Sequence, residues 1–323
     1  MKHLVGAAAL KLLRGLLTLW ITLTLLFCML VWVKGNPISL YVNPNMTPEL
    51  RANLERVYGY DRPPLQQYFR YMANLCRGEM GTSFNYKRPV VAVLADHIAP
   101  SLWLGLGGYA TGTLLSLLLL YGLHLGPKPL RVIWNMTFRI NLIMPAFITG
   151  ALLLALLAVK WPLFPIYGKR DLFSQALTGL PALWDLIKHS FLPVMSLALP
   201  FSGVLTAFLQ DRLLQLEDAP FVLSARGRGI SERRIFLNHK MRVVLPSLIQ
   251  VLGLYLPTVA GGSMIIEAMY GWNGMGLLMI EAVFSRDYPL LLGGCGWAAL
   301  MVIPGYELSD YLRTRLEHQE VLG

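Results

Sequence analysis

The chain has 323 residues, of which 55% are hydrophobic and only 14% are charged. Charged residues make up about 25% of an average soluble domain, so this composition excludes an ordinary water-soluble protein and predicts an integral membrane protein. The net charge of +10 would suit nucleic-acid binding, but the basic residues cluster in loops beside apolar segments, where retention on the cytoplasmic side explains them better. The three cysteines form no CxxC pair, so neither a disulfide framework nor a structural zinc site is indicated.

The N-terminal third predicts one membrane span followed by a small lobe. Lys11 and Arg14 precede an apolar run over residues 16–33 that is too long for the apolar region of a typical signal peptide. We therefore expect residues 1–34 to form a cytoplasmic N-terminus and a retained first transmembrane helix. Residues 35–97 are more polar, and their apolar spacing predicts short helices starting near positions 48, 64 and 89. This region is expected to be an extracytoplasmic helical lobe.

Five further apolar segments predict the rest of a transmembrane core over residues 98–312, with a cytoplasmic tail at 313–323. The segments cover about 98–123, 140–159, 191–209, 243–269 and 288–308. Glycines at 105, 107, 108 and 112 should leave one strip of the second span open to close helix packing, and Pro145 is expected to kink the third. The predicted fold class is all-α, a polytopic membrane protein with six transmembrane helices and, by the positive-inside rule, both termini in the cytoplasm.

The most charged long interval is the loop of residues 211–242, which we call the basic loop. Phe221, Val222 and Ala225 share one face of a predicted short helix. Gly227 and Gly229 then interrupt that helix, because glycine adopts the backbone angles that close a turn.

A second helix is predicted to follow that turn in the basic loop. Ser231 is a favourable N-cap for it. One side of this helix should carry Ile235, Phe236 and His239. A loop of this kind either rests on anionic lipid headgroups or docks onto a soluble partner.

The basic loop resembles the coupling motif of binding-protein-dependent ABC importer permeases, in particular the peptide/nickel permease family. The matching residues are Ala225-Arg226-Gly227-Arg228-Gly229-Ile230-Ser231, Arg233-Arg234 and Leu245-Pro246. The sequence departs from the family where Gly227 replaces the usual alanine and Arg228 the commoner lysine. The run from Gly229 to Pro246 is also one residue short. The resemblance extends over nearly the whole chain, from residue 11 to residue 312.

The resemblance implies the type I ABC importer permease fold and a non-catalytic membrane subunit. It implies that the basic loop docks onto a cytoplasmic ATPase. In that interface Phe221 and Ala225 would be the buried contacts and Arg226 and Arg233 the polar rim, while Gly229 would permit the turn. Ser231 belongs to the same motif.

The implied partners are a second homologous permease, two cytoplasmic ABC ATPases, an extracytoplasmic substrate-binding protein and membrane lipid. The implied location is the bacterial inner membrane. The sequence contains no phosphate-binding loop, so ATP and Mg²⁺ would be bound by the ATPases and this chain would need no cofactor. The implied substrates are di- and oligopeptides, with nickel or another metal chelate as the alternative.

A second candidate site lies at the outer end of the fifth predicted span. Its residues are Gly262, Glu267, Tyr270, Gly274 and Gly276. An ionisable side chain at the edge of a span is a functional candidate, so Glu267 could belong to a pathway-facing outer gate; alternatively, it satisfies a backbone amide of the following turn. The resemblance favours a structured gate. The string Arg286-Asp287 is expected to have a structural role in the outer turn.

Two other classes of membrane protein fit the sequence less well. A secondary transporter that works without ATP typically has inverted repeats and paired charges at the bilayer midplane, and the sequence offers no repeat and almost no midplane charge. An intramembrane enzyme needs a catalytic constellation, and the six scattered histidines have neither metal-ligand nor catalytic spacing. We therefore predict no catalytic residue and no metal site.

Overall fold

A computed structural model of the chain describes residues 2–32, 61–169 and 178–301, together with residues 47, 49, 53, 56, 59 and 305. Most of the predicted lobe helix near Pro48 lies outside the described residues, although residues 49, 53 and 56 are helical. The tail of residues 313–323 also lies outside them. Within the described residues the regular elements are helical. The predicted all-α class is therefore confirmed.

Twelve helices are described in chain order. They are α1 Lys2–Trp32, α2 Pro64–Cys76, α3 Val90–Leu125, α4 Arg131–Ile143, α5 Ala146–Leu153, α6 Leu180–Gln215, α7 Pro220–Gly227, α8 Glu232–Arg234, α9 Met241–Gly261, α10 Met264–Tyr270, α11 Met275–Phe284 and α12 Tyr288–Met301. A 3₁₀ turn, Lys128–Leu130, precedes α4. Two π-helical segments extend the list: Leu154–Lys160 continues α5, and Ile235–Lys240 joins α8 to α9.

Three helices among the described residues are long and apolar enough to cross a membrane. They are the part of α1 from Leu13 to Trp32, the helix α3 and the helix α6. They confirm the first, second and fourth predicted spans. A fourth crossing would require Lys128–Ile143 and Ala146–Lys160 to act together, and these two pieces are bent by 113°. The helices α11 and α12 are apolar but shorter, so the count of six spans stays a prediction.

The third predicted span is a sharply bent pair of helices rather than one kinked helix. The chain leaves α4 at Met144, which has φ −77° and ψ 118°, and Pro145 follows at φ −62° and ψ 147°. Proline lacks an amide hydrogen and pushes the preceding residue out of the helical region. Two successive extended residues therefore redirect the chain at the proline where a kink was expected.

The helix α3 starts earlier than predicted and packs closely on α6. It is continuous from Val90, so the short lobe helix expected at Pro89 is its first turns. A Cβ atom added at Gly108 would lie 2.8 Å from Leu197 Cβ, and one at Gly112 would lie 2.8 Å from the Ala198 carbonyl oxygen. The predicted small strip is confirmed, because only glycine allows the two helices to approach this closely.

Two apolar cores occupy opposite ends of α3. Val90 and Leu94 pack with residues of α11 and α12, while Leu120 packs with α6, α9 and Phe236. About 30 residues of helix separate Val90 from Leu120, or about 45 Å at 1.5 Å per residue. The basic loop therefore lies at one end of the bundle, and the hairpin that precedes α3 lies at the other.

The hairpin of residues 81–90 is fastened to the turn between α11 and α12. Asp287 is fully buried; its Oδ2 accepts hydrogen bonds from Ser83 Oγ at 2.5 Å and from the Asn85 amide at 3.0 Å. Its Oδ1 accepts one from the Leu290 amide at 3.2 Å. Nearby, Tyr86 Oη donates to Glu281 Oε2 at 2.8 Å. The expected structural role of Asp287 is confirmed.

Candidate functional site

The first half of the basic loop is a short helix closed by a glycine turn. Proline at the first position of α7 has the φ angle that a helix start requires. The helix ends before Gly229, whose φ of +75° lies in the left-handed region. The Gly229 amide donates to the Arg226 carbonyl at 2.9 Å, and the Ile230 amide donates to the Ala225 carbonyl at 3.1 Å. The helix–turn–helix prediction is thereby confirmed.

Ala225 faces the inside of the loop. With Val222 and Ile235 it forms a small apolar core in which each of the three residues is 0% exposed. Its methyl group therefore has no surface to offer a docking partner, which corrects the expectation that it is a direct contact. The neighbouring side chains Phe221 and Leu223 point outward, with 37% and 50% of their surface exposed.

Arg226 is held within the chain by two carboxylates. Its Nη2 lies 2.8 Å from Glu217 Oε2, and its Nε lies 2.7 Å from Glu232 Oε1. Glu217 Oε1 also accepts a hydrogen bond from the buried Lys240 ammonium. Arg226 was expected to supply a polar rim contact, which stays a prediction; in the structure its exposed side chain pairs with Glu217 and Glu232.

The pKa values follow from these contacts. The hydrogen bond from Lys240, and then that from Arg226, holds the pKa of Glu217 below its ordinary value. The hydrogen bond from Arg226 lowers the pKa of Glu232. In return, Glu232 and Glu217 raise the pKa of Arg226. Sequence spacing did not reveal this cluster, because Arg226 and Glu232 lie on opposite sides of a turn whose geometry decides whether they meet.

The other two predicted residues of the loop occupy the expected positions. Ser231 stands at the N-cap of α8, but its side chain makes no capping hydrogen bond. The Ser231 carbonyl oxygen accepts hydrogen bonds from the amides of Arg234 and Ile235, at 2.9 and 3.0 Å. Arg233 is exposed and is the predicted rim residue that remains at the surface.

A π-helical segment ties the loop to the membrane bundle. Ile235 belongs to the small core of the loop, whereas the adjacent Phe236 packs in the core formed by α3, α6 and α9. The Phe236 ring also stacks on His124 at the end of α3, with centroids 5.2 Å apart. A displacement of the loop would therefore reach the helix bundle directly through these two neighbouring side chains.

At the other end of the bundle, the three predicted gate glycines lie close to Glu267, whereas the Tyr270 hydroxyl contacts α5 and α6. Gly262, at φ +75°, ends α9, so the predicted fifth span does not continue to residue 269. The Glu267 side chain is 0% exposed. Its Oε1 accepts hydrogen bonds from Ser101 Oγ at 2.7 Å and from the Ser263 amide at 3.3 Å, and its Oε2 accepts one from the Leu277 amide at 3.0 Å.

Two glycines in this region leave no room for a side chain. A Cβ at Gly274 would lie 2.6 Å from Glu267 Oε2, and one at Gly276 would lie 2.6 Å from the Met264 nitrogen. Tyr270 Oη donates to the Gly150 carbonyl at 2.9 Å, which joins α10 to α5. The Glu267 carboxylate satisfies one backbone amide before it, that of Ser263, and one after the following turn, that of Leu277.

Ser101 is the member of this cluster that sequence reasoning missed. Its hydroxyl donates to Glu267 and accepts the Met275 amide at 2.7 Å, so it links α3 to α11. A serine inside an apolar helix is too common for its type to reveal such a contact. No group of three or more potential metal-ligating side chains occurs among the described residues.

Comparison with known proteins identifies relatives over most of the chain. Residues 97–319 match the family described as "Binding-protein-dependent transport system inner membrane component". The chain is 28% identical over 292 residues to the oligopeptide transport system permease protein AppB of Bacillus subtilis, covering 88% of this chain and 90% of AppB. It is 30% identical over 284 residues to the dipeptide transport system permease protein DppB of Lactococcus lactis, covering 86% of each. The glutathione transport system permease protein GsiC of Salmonella typhimurium is 28% identical over 285 residues, or 87% of this chain and 88% of GsiC.

Proposed function

Because the chain belongs to the family of binding-protein-dependent transport system inner membrane components, we propose that it is a permease subunit of an ATP-driven importer of di- and oligopeptides. It forms half of the translocation pathway and pairs with a second, homologous permease. Two cytoplasmic ATPases hydrolyse ATP, and an extracytoplasmic binding protein delivers the substrate. The observation that carries the proposal is the match to this family together with relatives whose names specify oligopeptide, dipeptide and glutathione transport.

The basic loop is the proposed contact with the ATPase. Phe221 and Leu223 supply exposed apolar surface. An aromatic side chain that becomes buried in a partner's pocket can carry much of the energy of an interface, which makes Phe221 the proposed anchor. Arg233 lies at the rim and steers docking. Ala225, Gly229 and Ser231 support this surface from within by shaping the turn. Phe236 then passes the movement of the loop to the helix bundle.

The opposite end of the bundle is the proposed outer gate. Glu267 and the glycines around it form a rigid corner that ends α9 and starts α10, and Tyr270 fastens that corner to α5. The outer lobe is the proposed docking surface for the binding protein. Leu65 and Phe69 support this assignment, because 67% and 61% of their surface is exposed on one amphipathic helix.

The proposed topology has six spans, with both termini and the basic loop in the cytoplasm of a bacterial inner membrane. The three long helices, the bent pair and the short apolar helices support it. Cysteines placed singly at 128, 175 and 231 in a variant without native cysteines test the orientation with a membrane-impermeant reagent. Position 175 should be labelled from outside. Labelling at 231 in intact cells would overturn the topology.

The decisive test of function is transport by the assembled complex. The chain is purified with its associated subunits and reconstituted into proteoliposomes, and uptake of radiolabelled di- and tripeptides is measured. Uptake should require both ATP and the binding protein. ATP-independent uptake driven by an ion gradient would refute the proposal and indicate a secondary transporter.

A further inference from the structure

We propose that Arg226 is a positioning residue, which bridges Glu217 and Glu232 and thereby holds the basic loop in one conformation. A movement of the ATPase would then displace the loop as a rigid unit together with α6 and α9, instead of being absorbed by bending of the loop. The inference rests on the proposed function. It goes further by assigning a role to Glu217, Glu232 and Lys240, and by giving Arg226 a role in contacts within the loop, although its side chain stays exposed.

The cluster joins four separate pieces of the loop. Glu217 follows the end of α6, Arg226 is near the end of α7, Glu232 begins α8, and Lys240 ends the π-helical segment before α9. Ion pairs therefore connect the segment after α6 with α7, α7 with α8, and the segment after α6 with the π-helical segment before α9. The charges balance as two cations and two anions, so the cluster needs no outside counter-ion.

Lys240 explains why Glu217 has to stay in place. The lysine side chain is only 5% exposed, and a buried cation is costly unless it is paired and hydrogen-bonded. Its ammonium donates to Glu217. Glu217 is therefore anchored at the bundle by Lys240, and its other carboxylate oxygen is left to hold Arg226.

The glycine turn is the weak point that Arg226 secures. A Cβ atom built at Gly227 or at Gly229 would meet no atom within 4 Å, so nothing packs on the outside of the turn. On the inside, the small core of Val222, Ala225 and Ile235 supports the turn. The ion pair between Arg226, before the turn, and Glu232, after it, joins the two ends of the turn at a distance of 2.7 Å.

The strength of these contacts suits a positioning role better than a stabilising one. Arg226 and Glu217 are 36% and 33% exposed, and Glu232 is 60% exposed. Ion pairs at such positions contribute little to global stability. Their effect is to favour one conformation of the loop, and a bidentate guanidinium does this more specifically than a lysine would.

The test compares Arg226→Gln with Arg228→Gln in the complete reconstituted complex. Arg228 is the matched control, because it is exposed and its Nε donates to the Ser224 carbonyl at 3.3 Å without bridging the turn. Two quantities are measured: hydrogen exchange of the amides over 217–240, and ATP hydrolysed per peptide imported. Arg226→Gln should raise exchange roughly two- to thirtyfold and raise the ATP cost per peptide. The amount of bound ATPase should be unchanged in Arg226→Gln. Arg228→Gln should leave exchange over 217–240 at the wild-type level.

Three results would overturn the proposal. They are unchanged exchange in Arg226→Gln, loss of bound ATPase with unchanged exchange, and equal effects of the two variants. Should Arg226→Gln fail to accumulate, Glu232→Gln removes one of the two bridges and must reproduce a smaller form of the same change. If the wild-type complex contains no ATPase, the proposed function fails, yet the exchange comparison still reports on the Arg226 bridge itself.

Discussion

Replacing Gly229 with valine should uncouple transport without preventing membrane insertion. Gly229 has φ +75°, and the position of its missing Cβ is open space, so the cost comes from the backbone and not from a clash. A Cβ in the left-handed region costs about 1–2 kcal/mol, and a β-branched residue is an outlier there. A cost of this size changes the population of the native turn about 5- to 30-fold.

The matched control is Gly227→Val. Gly227 lies in the same loop with equally open space around its Cβ position, but its φ is not positive. Valine is a better helix former than glycine, so this variant should retain uptake. Both variants are assayed for membrane content, bound ATPase and peptide uptake driven by ATP. Normal uptake by Gly229→Val would refute the reasoning, because the backbone conformation of the turn would then not matter. Equal loss in both variants would also refute it, because the added bulk and not the backbone conformation would then decide.

Three further predictions follow from buried or charged contacts. Asp287→Ala should lower the unfolding temperature, because it leaves two amides and one hydroxyl without their hydrogen-bond acceptor. Each unsatisfied group lowers the free energy of unfolding by about 1–3 kcal/mol. The control Asp96→Ala breaks an exposed ion pair with Arg88 and should change the free energy of unfolding by less than about 1 kcal/mol. Tyr270→Phe should cost about 1 kcal/mol in the same melting assay through loss of the hydrogen bond to Gly150, and no shift would argue against that contact. Contacts with Lys240 and Arg226 lower the pKa values of Glu217 and Glu232. The ionic cluster should therefore persist at pH values above their unfolded-state pKa of about 4.3 and be lost as the pH falls through their folded-state pKa values. A nitroxide at position 227 should gain mobility as the pH falls, and a gain in mobility toward neutral pH would contradict the assignment.

Local properties of the sequence determined the class of the protein and the outline of its loop. Hydropathy and span length predicted the helices that cross the membrane, and three of those predictions are confirmed. The glycines at 227 and 229 predicted the turn between α7 and α8, since glycine's freedom at positive φ is a property of the residue itself. The glycine strip of α3 was predictable for a similar reason: small residues permit close packing whatever their partner is.

Only the tertiary structure decided where charged and apolar side chains end up. Ala225 and Phe221 share a helix, but one is buried and the other exposed, because Ile235 returns over the turn to cover only one of them. Arg226 looked like a free surface cation until the fold brought Glu217 and Glu232 to it. Nothing near Glu267 in the sequence pointed to Ser101, which precedes it by 166 residues and donates a hydrogen bond to its carboxylate. Contacts between residues so far apart depend on how the helices pack, and no spacing within a single segment encodes them.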